Sequence, residues 1–310
     1  MTLRNGMPRR AFAAVLALGL TASPALAAPL TVPFDFSRGE VAVEVRVKGK
    51  PLHMLIDTGV DPSMISLAQA KALGLKIDAE AGEADGIGDG KGAAIFGSAI
   101  EGLSLGGRRF GRVAALALDT GLLSAQYGRP LDGVLGWSFL HDKTVLIDYP
   151  NHRLSLLERS SQAKALIRAC RRRWSAPMTL LNDQNWPMLP DFHLGRVSLP
   201  ATLDTGASGG VTLYQGALDL PGVRDGLAKT GESISTGARG ASKLTEYAFA
   251  APLGFGPFDL PPGHGVSLRQ TKGSAETSLA TVGNRFFADL KLKLLLDFRD
   301  RRIGVFADCA

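Results

Sequence analysis

The 310-residue chain has two cysteines, five histidines and no long apolar run beyond its N-terminus. Each shortage excludes a class of protein. His53, His141, His152, His193 and His264 are scattered, and no two have the spacing of a zinc pair on a helix. No metal site and no cofactor are expected. Residues 86–92 are glycine-rich but lack the Gly-Lys-Ser/Thr ending of a phosphate loop. Cys170 and Cys309 have no histidine nearby in sequence of the kind a thiol protease would show. The net charge is +6, of which Arg4, Arg9 and Arg10 supply three, leaving +3 for the rest. That excess does not call for a nucleic-acid partner. Arg171, Arg172 and Arg173 form the one tight basic cluster, read as a solvated helix end or linker, with a processing or docking site as the sharper alternative.

Residues 1–27 read as a secretory signal. Arg4, Arg9 and Arg10 form the positive region, residues 11–20 the apolar one, and Ala25-Leu26-Ala27 the small-x-small cleavage site. The apolar run is short for a membrane span, so no stable membrane insertion is expected after signal removal. The protein is expected in the periplasm or secreted. There Cys170 and Cys309 are chemically permitted to form a disulfide; two free buried thiols are the alternative.

What the chain does have is a long internal repeat. Asp-Thr-Gly occurs twice after an apolar run, as Asp57-Thr58-Gly59 and Asp204-Thr205-Gly206. Gly136, after Val134-Leu135, lies 79 residues beyond Asp57, and Gly283, after Thr281-Val282, lies 79 beyond Asp204. A glycine-rich segment separates the landmarks in each half, at residues 86–92 and 235–240. Each half closes with an apolar run ending in an acid, Asp148 or Asp297, both read as strand-end surface acids. The period is too long for a solenoid, so two lobes are the simpler reading. The expected division is a signal peptide at 1–27, an N-terminal lobe at 28–160 and a C-terminal lobe at 161–310.

Hydrophobic alternation over residues 40–47 predicts a half-buried strand, and residues 52–56 its hairpin partner delivering Asp57. A short helix is expected over 66–75, with residues 213–220 in its place in the second half. The polar, glycine-rich stretch 79–97 suits a mobile hairpin. Residues 121–130 and 257–265 read as loops, and 160–173 as a helix joining the lobes. Trp137, Trp174 and Trp186 read as core or loop anchors.

The paired motifs and equal spacings resemble the aspartic proteases of the pepsin and retropepsin group, over nearly all of the chain beyond residue 27. The resemblance implies an all-β, pepsin-like acid protease fold of two homologous β lobes with an active-site cleft between them. It also implies an aspartic endopeptidase in which Asp57 and Asp204 share one proton and activate a water. Thr58 and Thr205 would bond across to the opposite loop, and Gly59 and Gly206 would permit the tight turns. Gly86, Ile87, Gly88 and Gly237 would belong to flaps over the substrate; Asp61, and Ser208 at the matching position, would meet its backbone. A polypeptide is the implied partner, bound by strand-like pairing. Since one chain holds both aspartates, a monomer is expected. Pockets lined by Val60, Ile87 and Phe96 would prefer apolar side chains.

Two departures from the family pattern matter. The hydroxyl residue that follows Asp-Thr-Gly in the pepsin type is replaced by Val60 and Ala207. A carboxylate without that donor titrates higher, so a weakly acidic to neutral optimum is expected. The retropepsin Gly-Arg-Asn run reads Gly283-Asn284-Arg285 in one half and Gly136-Trp137-Ser138 in the other, which takes away the family role of the arginine. A catalytically silent peptide- or protein-binding module of the same fold is the alternative function.

Overall fold

The computed structural model describes residues 28–158, 160–181, 185–270 and 278–309. The signal-peptide reading of residues 1–27 lies outside them. Strands dominate, in three sheets. A nine-stranded sheet carries the first Asp-Thr-Gly loop and a ten-stranded sheet the second. A six-stranded sheet takes strands from both halves of the sequence, in the order Leu30–Pro33, Arg153–Leu157, Thr144–Asp148, Lys293–Asp297, Arg302–Cys309, Cys170–Pro177.

Periodicity explains which strands face water. Ala42–Val47 buries Val43, Val45 and Val47 and exposes Glu44 and Arg46, the period-two pattern of a sheet covered on one face. Thr144–Asp148 and Lys293–Asp297 are almost wholly buried instead. They pair antiparallel at the centre of the six-stranded sheet, with Leu146 opposite Leu295. Val145, Ile147, Leu294 and Leu296 point into the main core. Leu146 and Leu295 point the other way, into a second cluster with Ala163 of the helix Ser160–Arg168. A strand covered on both faces must read as a continuous apolar run.

This burial corrects the reading of Asp148 and Asp297 as surface acids: they are 9% and 3% exposed. Each is partnered. Lys293 Nζ lies 2.8 Å from Asp148 Oδ2, and Thr144 Oγ1 donates to Asp297 Oδ1 at 2.9 Å. The terminal acids are drawn in because the two central strands pair over their full length.

Two further expectations change. Residues 121–127 form a helix, ended by Gly128 in the left-handed conformation at φ 72°. Its buried face joins Leu123 and Tyr127, four residues apart, to Leu131 and Val134. Flanking Gly121, Gly128 and Pro130 gave this two-turn element the composition of a loop. The expected helix over 160–173 stops at Arg168, and the three arginines sit exposed on Cys170–Pro177. Pairing with Arg302–Cys309 claims that backbone, and Arg172 Nε reaches Asp308 Oδ2 at 2.8 Å. Cys170 and Cys309 face each other in this ladder and form a disulfide.

Candidate active site

Both Asp-Thr-Gly loops are built the same way. The strands Lys50–Ile56 and Val197–Leu203 end at Asp57 and Asp204. The short apolar strands Gly133–Leu135 and Ala280–Val282 lie parallel to them. Asp57 N donates to Leu135 O at 3.2 Å and Asp204 N to Val282 O at 3.0 Å. After the glycines, the chain turns into a helix that holds the far side of each loop. Trp137 N donates to Val60 O at 2.8 Å, and Asn284 N to Ala207 O at 3.0 Å. The equal spacing in the sequence is thus the path from a loop to its own support.

The loops lock to each other through their threonines. Thr58 N donates to Thr205 Oγ1 and Thr205 N to Thr58 Oγ1, both at 3.1 Å. Thr58 Oγ1 donates to Leu203 O at 2.7 Å and Thr205 Oγ1 to Ile56 O at 2.8 Å. All four bonds are buried. A buried hydroxyl that accepts one bond and donates another leaves no backbone group orphaned.

This grip brings the carboxylates together. A β-carbon placed on Gly59 would lie 2.9 Å from Asp204 Oδ1, and one on Gly206 would overlap the Asp57 carboxylate. No residue but glycine allows that approach. Each carboxylate accepts the amide two residues on: Gly59 N to Asp57 Oδ1 at 2.7 Å, Gly206 N to Asp204 Oδ1 at 2.9 Å. Burial pushes both groups above the ordinary carboxylate range. Asp57 is raised furthest, by burial first and then by the Asp204 charge beside it. On Asp204 backbone amides, and the more distant Arg269 charge, work against the rise.

The dyad floors a cavity of about 410 Å³. Of the expected site residues, Gly59, Gly206, Ser208, Gly86, Ile87 and Gly237 line it, with Val60 beside them. Three others are corrected. Asp61 is exposed, and its carboxylate accepts Asn185 Nδ2 at 2.7 Å instead of facing the cavity. Phe96 packs against the main core, because its strand, Ala94–Ile100, turns it inward. Gly88 sits where the two hairpins meet, not on the cavity wall.

That meeting is a close one. Arg239 N donates to Ile87 O at 2.9 Å, Gly90 N to Arg239 O at 2.9 Å, and Asp89 N to Ala241 O at 3.2 Å. Gly88, at φ +131°, has the Arg239 backbone where a side chain would stand. Each half therefore contributes a hairpin to a common roof.

Several residues of the site carried no motif in the sequence. Trp186, read as an anchor, lines the cavity; Trp174 does stand against Phe255 at 5.0 Å and Trp137 against Phe298 at 5.7 Å. Asn284 is fully buried, donates to Thr205 O at 2.7 Å and accepts Tyr149 OH at 2.7 Å. It braces the second loop, while Arg285 is exposed. The position after the crossing glycine was the only available signal.

Glu40 also lines the cavity, with Oε2 buried and unpartnered. Burial pushes its pKa from 4.5 up to about 7 against a bond from Ser208. A raised carboxylate stabilises the fold below its unfolded pKa and loses that contribution as pH rises through the folded one. Stability should therefore fall between pH 4.5 and about 7. Glu40→Gln should flatten that window and add roughly 2 kcal/mol at pH 8 after solvent screening. Urea denaturation at several pH values reads this; an unchanged pH slope in the variant refutes it.

The three sheets and this cleft define the pepsin-like aspartic protease fold. The sequence profile of the aspartyl protease family matches residues 43–139, from the strand Ala42–Val47 to the helix after Gly136. The profile covers under half of the chain; what the described residues share with the pepsin-like aspartic proteases as a whole is the fold. The aspartic proteinase of Irpex lacteus has a similar fold, at 14% identity and TM-score 0.50, covering 91% of this chain and 98% of its own. Basic 7S globulin from soybean aligns over 90% of this chain and 94% of its own, at 11% identity and TM-score 0.46. The sequence matches none of the curated proteins.

Proposed function

We propose that this protein is an exported aspartic endopeptidase that hydrolyses polypeptides with a water held between Asp57 and Asp204. The observation that carries the reading is the pair of buried carboxylates, each packed on the opposite loop's glycine and joined by reciprocal threonine bonds. Like charges so close share one proton. The proton belongs to the pair; with Asp57 as its holder, Asp204 carries the charge. Asp204 takes a proton from the water, whose oxygen bonds to the peptide carbonyl carbon. Asp57 gives its proton to the carbonyl oxygen, forming a neutral tetrahedral diol. Asp204 then protonates the departing amine as the C–N bond breaks, and a diol proton returns to Asp57. No metal or cofactor enters these steps.

The same proposal includes a signal peptide at 1–27, lobes at 28–160 and 161–310, and action as a monomer on a polypeptide, with no nucleic-acid partner and no stable membrane insertion once the signal is removed. No helix among the described residues is long and apolar enough to cross a membrane. The Cys170–Cys309 disulfide supports a periplasmic or secreted location, where such bonds persist.

The test is cleavage of a peptide library across about pH 3 to 8. No side-chain hydroxyl supports either carboxylate from Val60 or Ala207, and burial raises both. Activity needs one ionised partner, so its acid limb moves upward and the optimum should be weakly acidic to neutral. An optimum below about pH 3.5 refutes that expectation. A folded chain that cuts nothing would make it a peptide-binding module of the same fold.

A further inference from the structure

The cavity walls differ in chemistry. On the first-lobe side stand Val60, Met64, Leu123, Leu131 and Val134. On the other stand Thr212, Ser233, Ser267 and, among them, the cation Arg269. Arg269 ends the strand Gly265–Arg269 and is only 5% exposed. One terminal nitrogen donates to Ser242 Oγ; the other donates to Ser235 Oγ at 3.0 Å. Its Nε is buried with no partner. Two neutral hydroxyls occupy two of five guanidinium N–H groups. Among the described residues it forms no ion pair, although Asp204 and Asp89 are close enough to act on its charge. Glu246, on the same wall, is occupied by the Ser233 and Ser267 hydroxyls. Asp89 is exposed on the roof.

A buried cation with no carboxylate in contact is costly to hold and is relieved by one with matching fork geometry. Ser235 and Ser242 fix the plane of the guanidinium, so it is presented in one orientation. We propose that Arg269 is the carboxylate receptor of this cleft, selecting peptides that place an acidic group beside the bond to be cut. This rests on the endopeptidase reading and names its substrate class: an apolar residue against the first-lobe wall and a carboxylate against the second. The carboxylate comes from an Asp or Glu side chain or from a free C-terminus.

The experiment uses the full chain and matched peptides carrying Glu or Gln at each position around the cleavage site, each as C-terminal acid and amide. The readout is the ratio of kcat/KM between acidic and neutral partners within one enzyme variant, which cancels any general change at the dyad. The expected ratio is about 100-fold in the unmodified protein. It falls to near one in Arg269→Gln and to an intermediate value in Arg269→Lys, which keeps charge but loses the fork. Ser242→Ala lowers it without removing the cation, and serves if Arg269→Gln does not fold. Loss of preference on amidation assigns the C-terminus; loss on Glu-to-Gln exchange assigns the side chain.

Equal cleavage of acidic and neutral peptides overturns the proposal, as does a preference that survives Arg269→Gln. A guanidinium serving only to lower the Asp204 pKa would move the acid limb of the pH profile and leave the ratio untouched, which also overturns it. If no peptide is cut, equilibrium binding of the same peptides decides. Binding of acidic peptides that depends on Arg269 keeps the receptor while the hydrolytic reading fails; charge-blind binding, or none, ends both.

Discussion

Asp57→Asn and Asp204→Asn should each lower kcat/KM by on the order of 10⁴-fold while the chain stays folded. The reason is the proton balance. One carboxylate must be charged to take a proton from water, and its partner must hold a proton to give to the carbonyl oxygen. An amide does neither. Both carboxyls titrate above 3.8 because burial disfavours the charged form. A raised carboxylate contributes stability at low pH and loses it as pH climbs from 3.8 through the folded value. The asparagine variants escape that loss, so at neutral pH they should be at least as stable as the parent. Peptide cleavage and thermal denaturation on the same samples check both halves. Cleavage within tenfold of the parent in either variant would refute the shared-proton mechanism.

Thr58→Val should cost about 2–5 kcal/mol of stability and about 10- to 100-fold in kcat. Valine keeps the shape and removes the hydroxyl. The Thr205 amide loses its acceptor at 3.1 Å and the Leu203 carbonyl loses its donor at 2.7 Å. Both partners are buried, so neither finds water. Thr205→Val should behave alike, because it orphans the Thr58 amide and the Ile56 carbonyl. The double variant should cost less than the two single costs together, since once one hydroxyl is gone the loops separate and the second has less to lose. Chemical denaturation of all four proteins gives the coupling. A single-variant cost under about 0.5 kcal/mol would show that the grip does not hold the loops.

Arg269 and Glu40 mark the border between what was legible in the residues and what was not. Arg269 sits among Val266, Leu268 and Gln270, with no motif around it, and reads as an ordinary strand-end arginine. Only pairing with Tyr214 on one side and Leu244 on the other turns it into the cleft wall. Glu40 opens the alternation over residues 40–47 and reads as one of its charged, water-facing positions. The bend at Gly39, packed against Ser208 of the other loop, is what takes it into the cavity.

The residues alone specify the duplication, the two aspartates, their threonines and glycines, and the crossing segments 79 residues on. These are local: a catalytic turn needs particular residues at particular spacings, and the need is written wherever the turn is. The sequence also carried the strands whose apolar residues alternate or run unbroken. The tertiary structure decided the rest: that Asp148 and Asp297 are buried, that Cys170 meets Cys309, that Asp61 turns to Asn185, that the two hairpins roof the cleft together, and that a lone guanidinium faces it. Each depends on which segment lies across from which, over separations of 124 to 153 residues in the longest cases. Long-range pairing is selected by the summed burial of whole sheets, and no single residue's pattern records it.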